Sequence, residues 1–152
     1  MKNGFIVSLV NVLSLCVVII GVSSYFIFHT RYIGPVIIAL GILCLISLVP
    51  FKVKIRNIWP DIVFGIIDNG ILAIMAIFGG EMGGVVGAVI GGVVGNAITD
   101  GIAGIFEGWI AEKTKLPHVD HGRTMLGSSV GKMSGCLLSA GSVLFIANIF
   151  KL

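Results

Sequence analysis

The sequence predicts an all-α integral membrane protein that crosses the bilayer with five helices. Hydrophobic residues make up 57% of the 152-residue chain and charged residues only 11%, whereas soluble domains contain roughly 25% charged residues. The mean hydropathy is +1.11. Such a chain cannot cover its surface with polar groups, so lipid is its expected solvent. The length allows one membrane domain and no separate soluble domain.

Five apolar stretches can serve as membrane spans, because a bilayer core of about 30 Å requires about 20 residues of helix. The predicted spans are residues 5–28, 32–49, 61–78, 83–110 and 124–150. A tight hairpin at residues 79–81 joins the third span to the fourth. We expect residues 1–152 to form a single membrane domain. Within it, residues 1–57 supply two apolar support helices, and residues 58–152 form a three-helix core around a polar site.

Positively charged residues orient these spans, because cytoplasmic loops are enriched in lysine and arginine. With five spans, one side of the membrane receives only Arg31 and Lys151. The other side receives Lys2, Lys52, Lys54, Arg56, Lys113, Lys115 and Arg123. The N-terminus is therefore predicted in the cytoplasm and the C-terminus outside. The expected location is a prokaryotic cytoplasmic (inner) membrane.

Glycines recur every four residues in the fourth predicted helix, at Gly83, Gly87, Gly91 and Gly95. At about 100° per residue they cover one side of the helix, where another backbone can approach closely. This spacing predicts a glycine-zipper hairpin of helices 3 and 4. Two interpretations of it stay open. The glycines pack against a helix of the same chain, or they line an oligomer interface or pore; in either case we expect a homo-oligomer.

The opposite side of the fourth helix is polar. Relative to Asp100, Asn96 and Glu107 fall within about 40° around the helix axis, whereas Gly91 lies about 180° away. One face is therefore suited to backbone packing, and the other presents amide and carboxylate groups in a line. A helix at the edge of a polar pathway requires this division.

Helices three to five also carry charges at a similar depth in the bilayer. At 1.5 Å rise per residue, Asp68 and Asn69, Asp100, and Lys132 lie about two to three turns from the cytoplasmic ends of their helices. A charge in hydrocarbon costs at least about 2.5–3.5 kcal/mol, so such groups face the protein interior or a water-filled cavity. One interpretation is a structural ion pair of Lys132 with a carboxylate. The other is an ion or proton site, which the excess of carboxylates favours.

A divalent metal ion fits the ligands that these helices offer. Asp68, Asp100 and Glu107 supply carboxylate oxygens, and Cys136 shares a helix face with Lys132. Oxygen ligands with some sulfur suit a borderline metal such as Fe²⁺ or Mn²⁺ better than Ca²⁺. If Lys132 lost its proton as the metal entered, metal movement would be coupled to proton movement.

A second set of metal-binding side chains lies in the loop before the fifth helix. His118, Asp120 and His121 stand within four residues and are chemically suitable ligands. Their spacing is not a specific motif, and a solvated loop is the simpler interpretation.

A pattern in helices three and four resembles one known family. The sequence Val63-Phe64-Gly65-x-x-Asp68-Asn69-Gly70 is followed by small residues and by Ala103-Gly104-x-x-Glu107. Residues 63–107 are similar to the first two helices of the vacuolar iron transporter family. There, a Phe-Gly-x-x-Asp-Gly pattern supplies a membrane aspartate, and a Gly/Ala-rich helix ends in a glutamate. The resemblance implies a role in the metal pathway for Asp68 and Glu107.

The chain departs from that family in three respects. Asn69 interrupts the Asp-Gly pair, and two helices precede the matching region. The family's long glutamate-rich segment after its second helix is replaced here by the short stretch 112–123.

These features predict a small transporter or exporter of a divalent metal cation. Its pathway would lie between helices 3, 4 and 5, lined by Asp68, Asn69, Asn96, Asp100, Glu107 and Lys132. Two alternatives stay open: an oligomeric glycine-zipper channel, and a non-transporting structural subunit or assembly factor of a larger membrane complex. We expect no enzyme, because no nucleophile has an evident base partner. No covalent cofactor and no nucleic acid partner are expected, since no basic run contains interleaved aromatics.

Overall fold

The structure is a computed structural model of four α-helices and one short 3₁₀ turn. It describes the backbone of residues 2–29, 33–113 and 124–150, and the side-chain surroundings of residues 4–29, 33–105 and 124–150. The elements are α1 (Lys2–His29), α2 (Ile33–Ser47), the 3₁₀ turn (Val49–Phe51), α3 (Ile55–Lys113) and α4 (Met125–Phe150). Within these ranges, four helices are long and apolar enough to cross a membrane. The predicted all-α class is confirmed.

Large apolar side chains are exposed along all four helices, which is the surface that lipid requires. The exposed fractions reach 83% at Phe28, 90% at Met82 and 83% at Val85. In water, leaving apolar area unburied forgoes about 25 cal/mol per Å², and soluble monomers rarely expose contiguous patches of this extent. The exposed surface therefore agrees with the membrane character predicted from composition.

α3 consists of two helical arms joined by a bend. The first arm is residues 55–82 and the second is residues 85–113, with non-helical backbone at Gly83 (φ −138°, ψ 19°) and Gly84 (φ 59°, ψ −141°). The turn therefore lies a few residues beyond the predicted 79–81. Residues 79–81 remain helical because a glycine inside a helix costs only about 1 kcal/mol, whereas the backbone at Gly84 is open almost exclusively to glycine.

The start of α3 also differs from the prediction. The helix begins at Ile55, whereas the sequence predicted a span that starts at Asp61, after Pro60. Proline lacks an N–H, so only the carbonyl of Arg56 loses a backbone partner inside this helix. That loss near a helix end did not terminate the helix, and Asp61 is therefore well inside α3.

Gly84→Ala should destabilise the protein by about 1–3 kcal/mol, because alanine rarely adopts a positive φ with this ψ. Denaturant unfolding in detergent micelles measures the effect. Gly101→Ala is the matched control, since Gly101 is helical and a Cβ there would meet nothing within 4 Å. Equal stability of the two variants would contradict the bend at Gly84.

The two arms of α3 pack closely in a compact unit formed by residues 71–122. The backbone of Gly79 contacts that of Gly87, and Gly91 contacts the backbone of Met75. The residue numbers rise along one arm as they fall along the other, so these arms are antiparallel. Glycine is required at both crossings because a Cβ would overlap the opposite backbone.

The other two glycines of the predicted glycine face, Gly95 and Gly83, have different surroundings. A Cβ at Gly95 would lie 3.0 Å from the Cα of Leu72, so Gly95 continues the intrachain packing face. A Cβ at Gly83 would meet nothing within 4 Å, because Gly83 lies in the bend.

A second compact unit contains α1, α2, the part of α3 up to Gly70, and α4. α2 and α4 are antiparallel: a Cβ at Gly34 would lie 2.7 Å from the Phe145 nitrogen, and one at Gly41 would lie 3.0 Å from the Leu138 side chain. The Ser134 hydroxyl donates to the Gly41 carbonyl at 2.9 Å. The buried core of this unit is Leu15, Cys44, Leu48, Ile58, Ile62, Leu126 and Val130.

Candidate functional site

The candidate site is a polar seam, by which we mean the interface between residues 58–70 of α3 and residues 127–139 of α4. A Cβ at Gly131 would lie 3.1 Å from the Cβ of Asp61, and a Cβ at Gly70 would lie 3.7 Å from the Cβ of Ser139. The residue numbers rise together on the two helices. The two segments therefore run parallel.

Glycines on both helices allow this close approach. A Cβ at Gly65 would lie 2.5 Å from the carbonyl oxygen of Lys132 and 2.9 Å from the nitrogen of Cys136. On the other side, Gly135 contacts the backbone of Ile62. Because the backbones are so near, even short polar side chains reach across the seam.

Asp61 occupies the first level of the polar seam. Its side chain is 0% exposed, and its Oδ1 accepts a hydrogen bond of 2.8 Å from the Ser128 hydroxyl. A buried carboxylate is tolerated only with hydrogen bonds and a compensating positive charge or proton. Asp61 is therefore a strongly constrained ionisable group in an otherwise apolar core.

Lys132 occupies the middle of the polar seam. Its ammonium nitrogen lies 4.6 Å from the centroid of the Phe64 ring. A cation over an aromatic face is attracted by the negative potential of the ring, by about 0.5–2 kcal/mol depending on its desolvation. Phe64 therefore holds the lysine charge within the seam.

Asp68, Asn69 and Cys136 form the third level. The Asn69 amide nitrogen donates to Asp68 Oδ2 at 3.2 Å and to Cys136 Sγ at 2.7 Å. The Asn69 amide thus connects a carboxylate on α3 to a thiol on α4. Of the atoms joined here, the carboxylate oxygen and the sulfur are of the kinds that borderline metals accept.

One side of α4 carries polar side chains that face α3. Ser128 and Cys136 bond to side chains of α3, and Ser139 lies against Gly70. These residues share the face of Lys132, as positions four and seven residues away must on a helix.

Asn96 and Asp100 belong to the other compact unit. The Asn96 amide donates to Asp100 Oδ2 at 2.8 Å, and Asp100 is exposed. Both residues line an open groove with Leu72 and Gly92.

Several predicted site residues lie outside the side chains that the structure describes. Glu107 is within α3, but its side-chain surroundings are not among them, and His118, Asp120 and His121 fall in the stretch between α3 and α4 that is not described. Among the side chains that are described, no three of His, Cys, Asp and Glu come together as a metal-binding group. At the third level, the described side chains of these four types are Asp68 and Cys136.

Sequence analysis missed Asp61 as a site residue. The signal was present, because Asp61 and Asp68 are seven residues apart and share a helix face, as do Ser128 and Lys132, four residues apart. The predicted span started at Asp61 and so treated this residue as part of the membrane interface.

The chain was compared with protein families, curated proteins and solved structures. No family model, curated protein or solved structure matches the chain. The function must therefore be inferred from the residues themselves.

Proposed function

We propose that the chain crosses the membrane five times, with the two arms of α3 as separate spans. The parallel contact of residues 58–70 with residues 127–139 supports this, because two successive parallel spans require a return crossing between them. The antiparallel contacts within α3 provide that crossing. With five spans, the lysine and arginine distribution orients the N-terminus to the cytoplasm and the C-terminus to the outside.

We propose that the protein transports a divalent metal cation through the polar seam. The single observation that supports this best is the placement of Asp61, Asp68 and Lys132 along one interface between apolar helices. Each charge costs at least about 2.5–3.5 kcal/mol in hydrocarbon, and charged groups within spans commonly mark ion pathways. The seam therefore places two carboxylates and one lysine within an otherwise apolar helix bundle.

Asp68, Asn69 and Cys136 are the proposed binding point for the cation. A carboxylate and a thiol, with the oxygen of the Asn69 amide as a further candidate ligand atom, together favour a borderline metal of the iron or manganese type. The similarity of residues 63–107 to the vacuolar iron transporter family supports the same role for Asp68. From the sequence, we also propose a role in cation movement for Asp100 and Glu107 on the second arm of α3, in what we expect to be a prokaryotic inner membrane.

The contacts of the glycine face favour a transporter over a glycine-zipper pore. Gly87 and Gly91 contact the first arm of the same chain, and this leaves no gap at those positions for a pore lining. We propose that the protein is a homo-oligomer that uses exposed apolar faces, such as the one around Val85 and Val89.

Purified protein in liposomes tests the proposed function. We expect saturable uptake of Mn²⁺ and Fe²⁺, because each protein molecule has a limited number of binding sites. We expect no leakage of an entrapped fluorescent dye, because a transporter does not open a continuous pore. Protein-free vesicles are the control. Dye leakage would indicate a pore, and absence of uptake from well-folded protein would indicate a structural subunit.

A further inference from the structure

A groove lies along the second arm of α3, within the compact unit formed by residues 71–122. It is open to the surface, and its volume is about 440 Å³. One residue of the first arm and five of the second line it: Leu72, Gly92, Val93, Asn96, Ala97 and Asp100. Pockets that bind small molecules typically have volumes of about 300–1,000 Å³. The groove is therefore large enough to hold a small organic molecule.

The groove combines apolar walls with one carboxylate and one amide. Its walls are leucine, valine and alanine side chains, and Gly92 adds no side chain and so leaves space. The Asn96 amide donates to Asp100 Oδ2 at 2.8 Å, from four residues earlier on the same helix. This bond fixes the direction of the carboxylate. Apolar surface with a few placed polar groups is typical of sites for small organic ligands.

The charge of Asp100 determines which organic ligands the groove favours. Asp100 is exposed, and the Asn96 amide that bonds to it is neutral. In the proposed five-span arrangement the second arm of α3 crosses the bilayer, where a carboxylate is costly. A ligand with a positive charge lowers that cost, whereas an anionic ligand would raise it.

The groove offers few ligand atoms for a metal ion. Divalent cations such as Ca²⁺ and Mg²⁺ bind about six or more oxygen atoms, whereas the polar side chains that line this groove are those of Asn96 and Asp100. The other lining residues are leucine, valine, alanine and glycine, whose side chains offer no ligand atom. A divalent cation would be attracted to Asp100 in passing but not held in the groove.

We infer that this groove binds a lipophilic organic monocation. Asp100 attracts the charge of the ligand, and the apolar walls contact its organic part. Asn96 positions the carboxylate, and Gly92 keeps the groove open. The inference goes beyond the proposed metal transport and rests only on the proposed membrane position of α3. A lipophilic cation partitions into the bilayer and is thereby concentrated at the depth of the groove.

The test uses tetraphenylphosphonium, a permanent organic cation, and tetraphenylborate, an anion of the same shape. Equilibrium dialysis measures their binding to the purified protein in uncharged detergent micelles, with protein-free micelles as the blank. We expect saturable binding of the phosphonium and none of the borate. Asp100→Asn keeps the shape of the side chain but removes its charge. It should weaken phosphonium binding by at least about tenfold, because charges near a protein surface attract more strongly than in bulk water.

Gly92→Leu tests whether the ligand occupies the groove itself. A Cβ at Gly92 would lie 3.9 Å from the side chains of Ala76 and Leu72, which is ordinary contact, so the added side chain should fill the groove without separating the two arms. It should abolish saturable binding. Gly101→Leu is the matched control, because Gly101 lies about 180° from Gly92 around the helix axis and a Cβ there would meet nothing within 4 Å. This control should bind as wild type does.

Asp68→Asn separates the groove from the polar seam, because it removes a carboxylate of the seam and leaves Asp100 in place. We expect wild-type phosphonium binding from it. Loss of binding in Asp68→Asn but not in Asp100→Asn would place the organic cation in the polar seam and overturn the inference. Equal binding of phosphonium and borate would also overturn it.

A second copy of the chain is the alternative occupant of the groove. If wild-type protein binds no phosphonium and Gly92→Leu lowers its oligomeric state, that copy covers the groove and the inference is wrong. Should Gly92→Leu fail to fold, Asp100→Asn alone decides, since unchanged phosphonium binding in that variant would exclude a role for the carboxylate. Uptake of Mn²⁺ is measured separately, so none of these failures contradicts the proposed metal transport.

Discussion

Asp68→Asn should reduce the initial rate of Mn²⁺ uptake into proteoliposomes by more than about 100-fold. The substitution keeps the shape of the side chain but removes the charge that the cation would meet at the proposed binding point. Loss of an outer-shell partner of a metal ligand already costs about 10–100-fold, so loss of the ligand itself should exceed that. The amide can still accept and donate hydrogen bonds beside Asn69, and the fold should be retained.

Glu81→Gln is the matched control for that measurement. It also removes one carboxylate from α3, but Glu81 is exposed next to the bend and outside the polar seam. We expect wild-type uptake from this variant. Uptake by Asp68→Asn at the level of Glu81→Gln, with both proteins folded by circular dichroism, would remove Asp68 from the pathway.

Gly65→Ala should destabilise the protein by about 2 kcal/mol. Its Cβ would lie 2.5 Å from the Lys132 carbonyl oxygen and 2.9 Å from the Cys136 nitrogen, both of which are backbone atoms that cannot rotate away. Overpacking of this kind typically costs about 1–3 kcal/mol, which outweighs the gain of about 1 kcal/mol in helix propensity. Denaturant unfolding in micelles measures the change.

Gly104→Ala provides the comparison for Gly65→Ala. Both glycines lie within helical arms of α3, but a Cβ at Gly104 would meet nothing within 4 Å. This control should keep or slightly raise the stability. The same small change in both variants would contradict the close parallel packing of α3 and α4.

Composition and hydropathy were sufficient to predict the helical class and the positions of the apolar stretches. Both depend only on the residues themselves, and a chain with 11% charged residues cannot cover its surface with polar groups. The ends of α3 were harder to predict. Pro60 did not terminate the helix. The turn lies at Gly83 and Gly84 rather than at residues 79–81, because a helix tolerates glycine at about 1 kcal/mol, whereas the backbone conformation at Gly84 is open almost only to glycine.

The candidate site shows what helical periodicity can and cannot provide. Spacing on one helix grouped Cys136 with Lys132, because a helix fixes the angle between its own residues. Spacing cannot determine the register between two helices. The contact of Asp61 with Ser128 and that of Asn69 with Cys136 depend on the glycines that bring the backbones together, and these contacts were not predicted.

Similar depth in the bilayer was also insufficient to define a site. Asp68 and Asp100 were predicted at a common level. Depth gives the position of a residue along the membrane normal, but not its position in the plane of the membrane. The structure describes Asp68 beside Asn69 and Cys136, and Asp100 beside Asn96 in the other unit. Direct contacts, rather than depth, identify the residues on which a variant should act.

Protection of Cys136 by the cation tests the central claim most directly, because Cys136 is part of the proposed binding point. The rate at which a small thiol reagent modifies Cys136 can be followed by mass spectrometry of the purified protein, with Cys16 in the same sample as an internal reference. We predict that Mn²⁺ slows modification of Cys136 but not of Cys16, and that Asp68→Asn abolishes this protection. Modification of Cys136 at the same rate with and without Mn²⁺ would contradict a cation site in the polar seam.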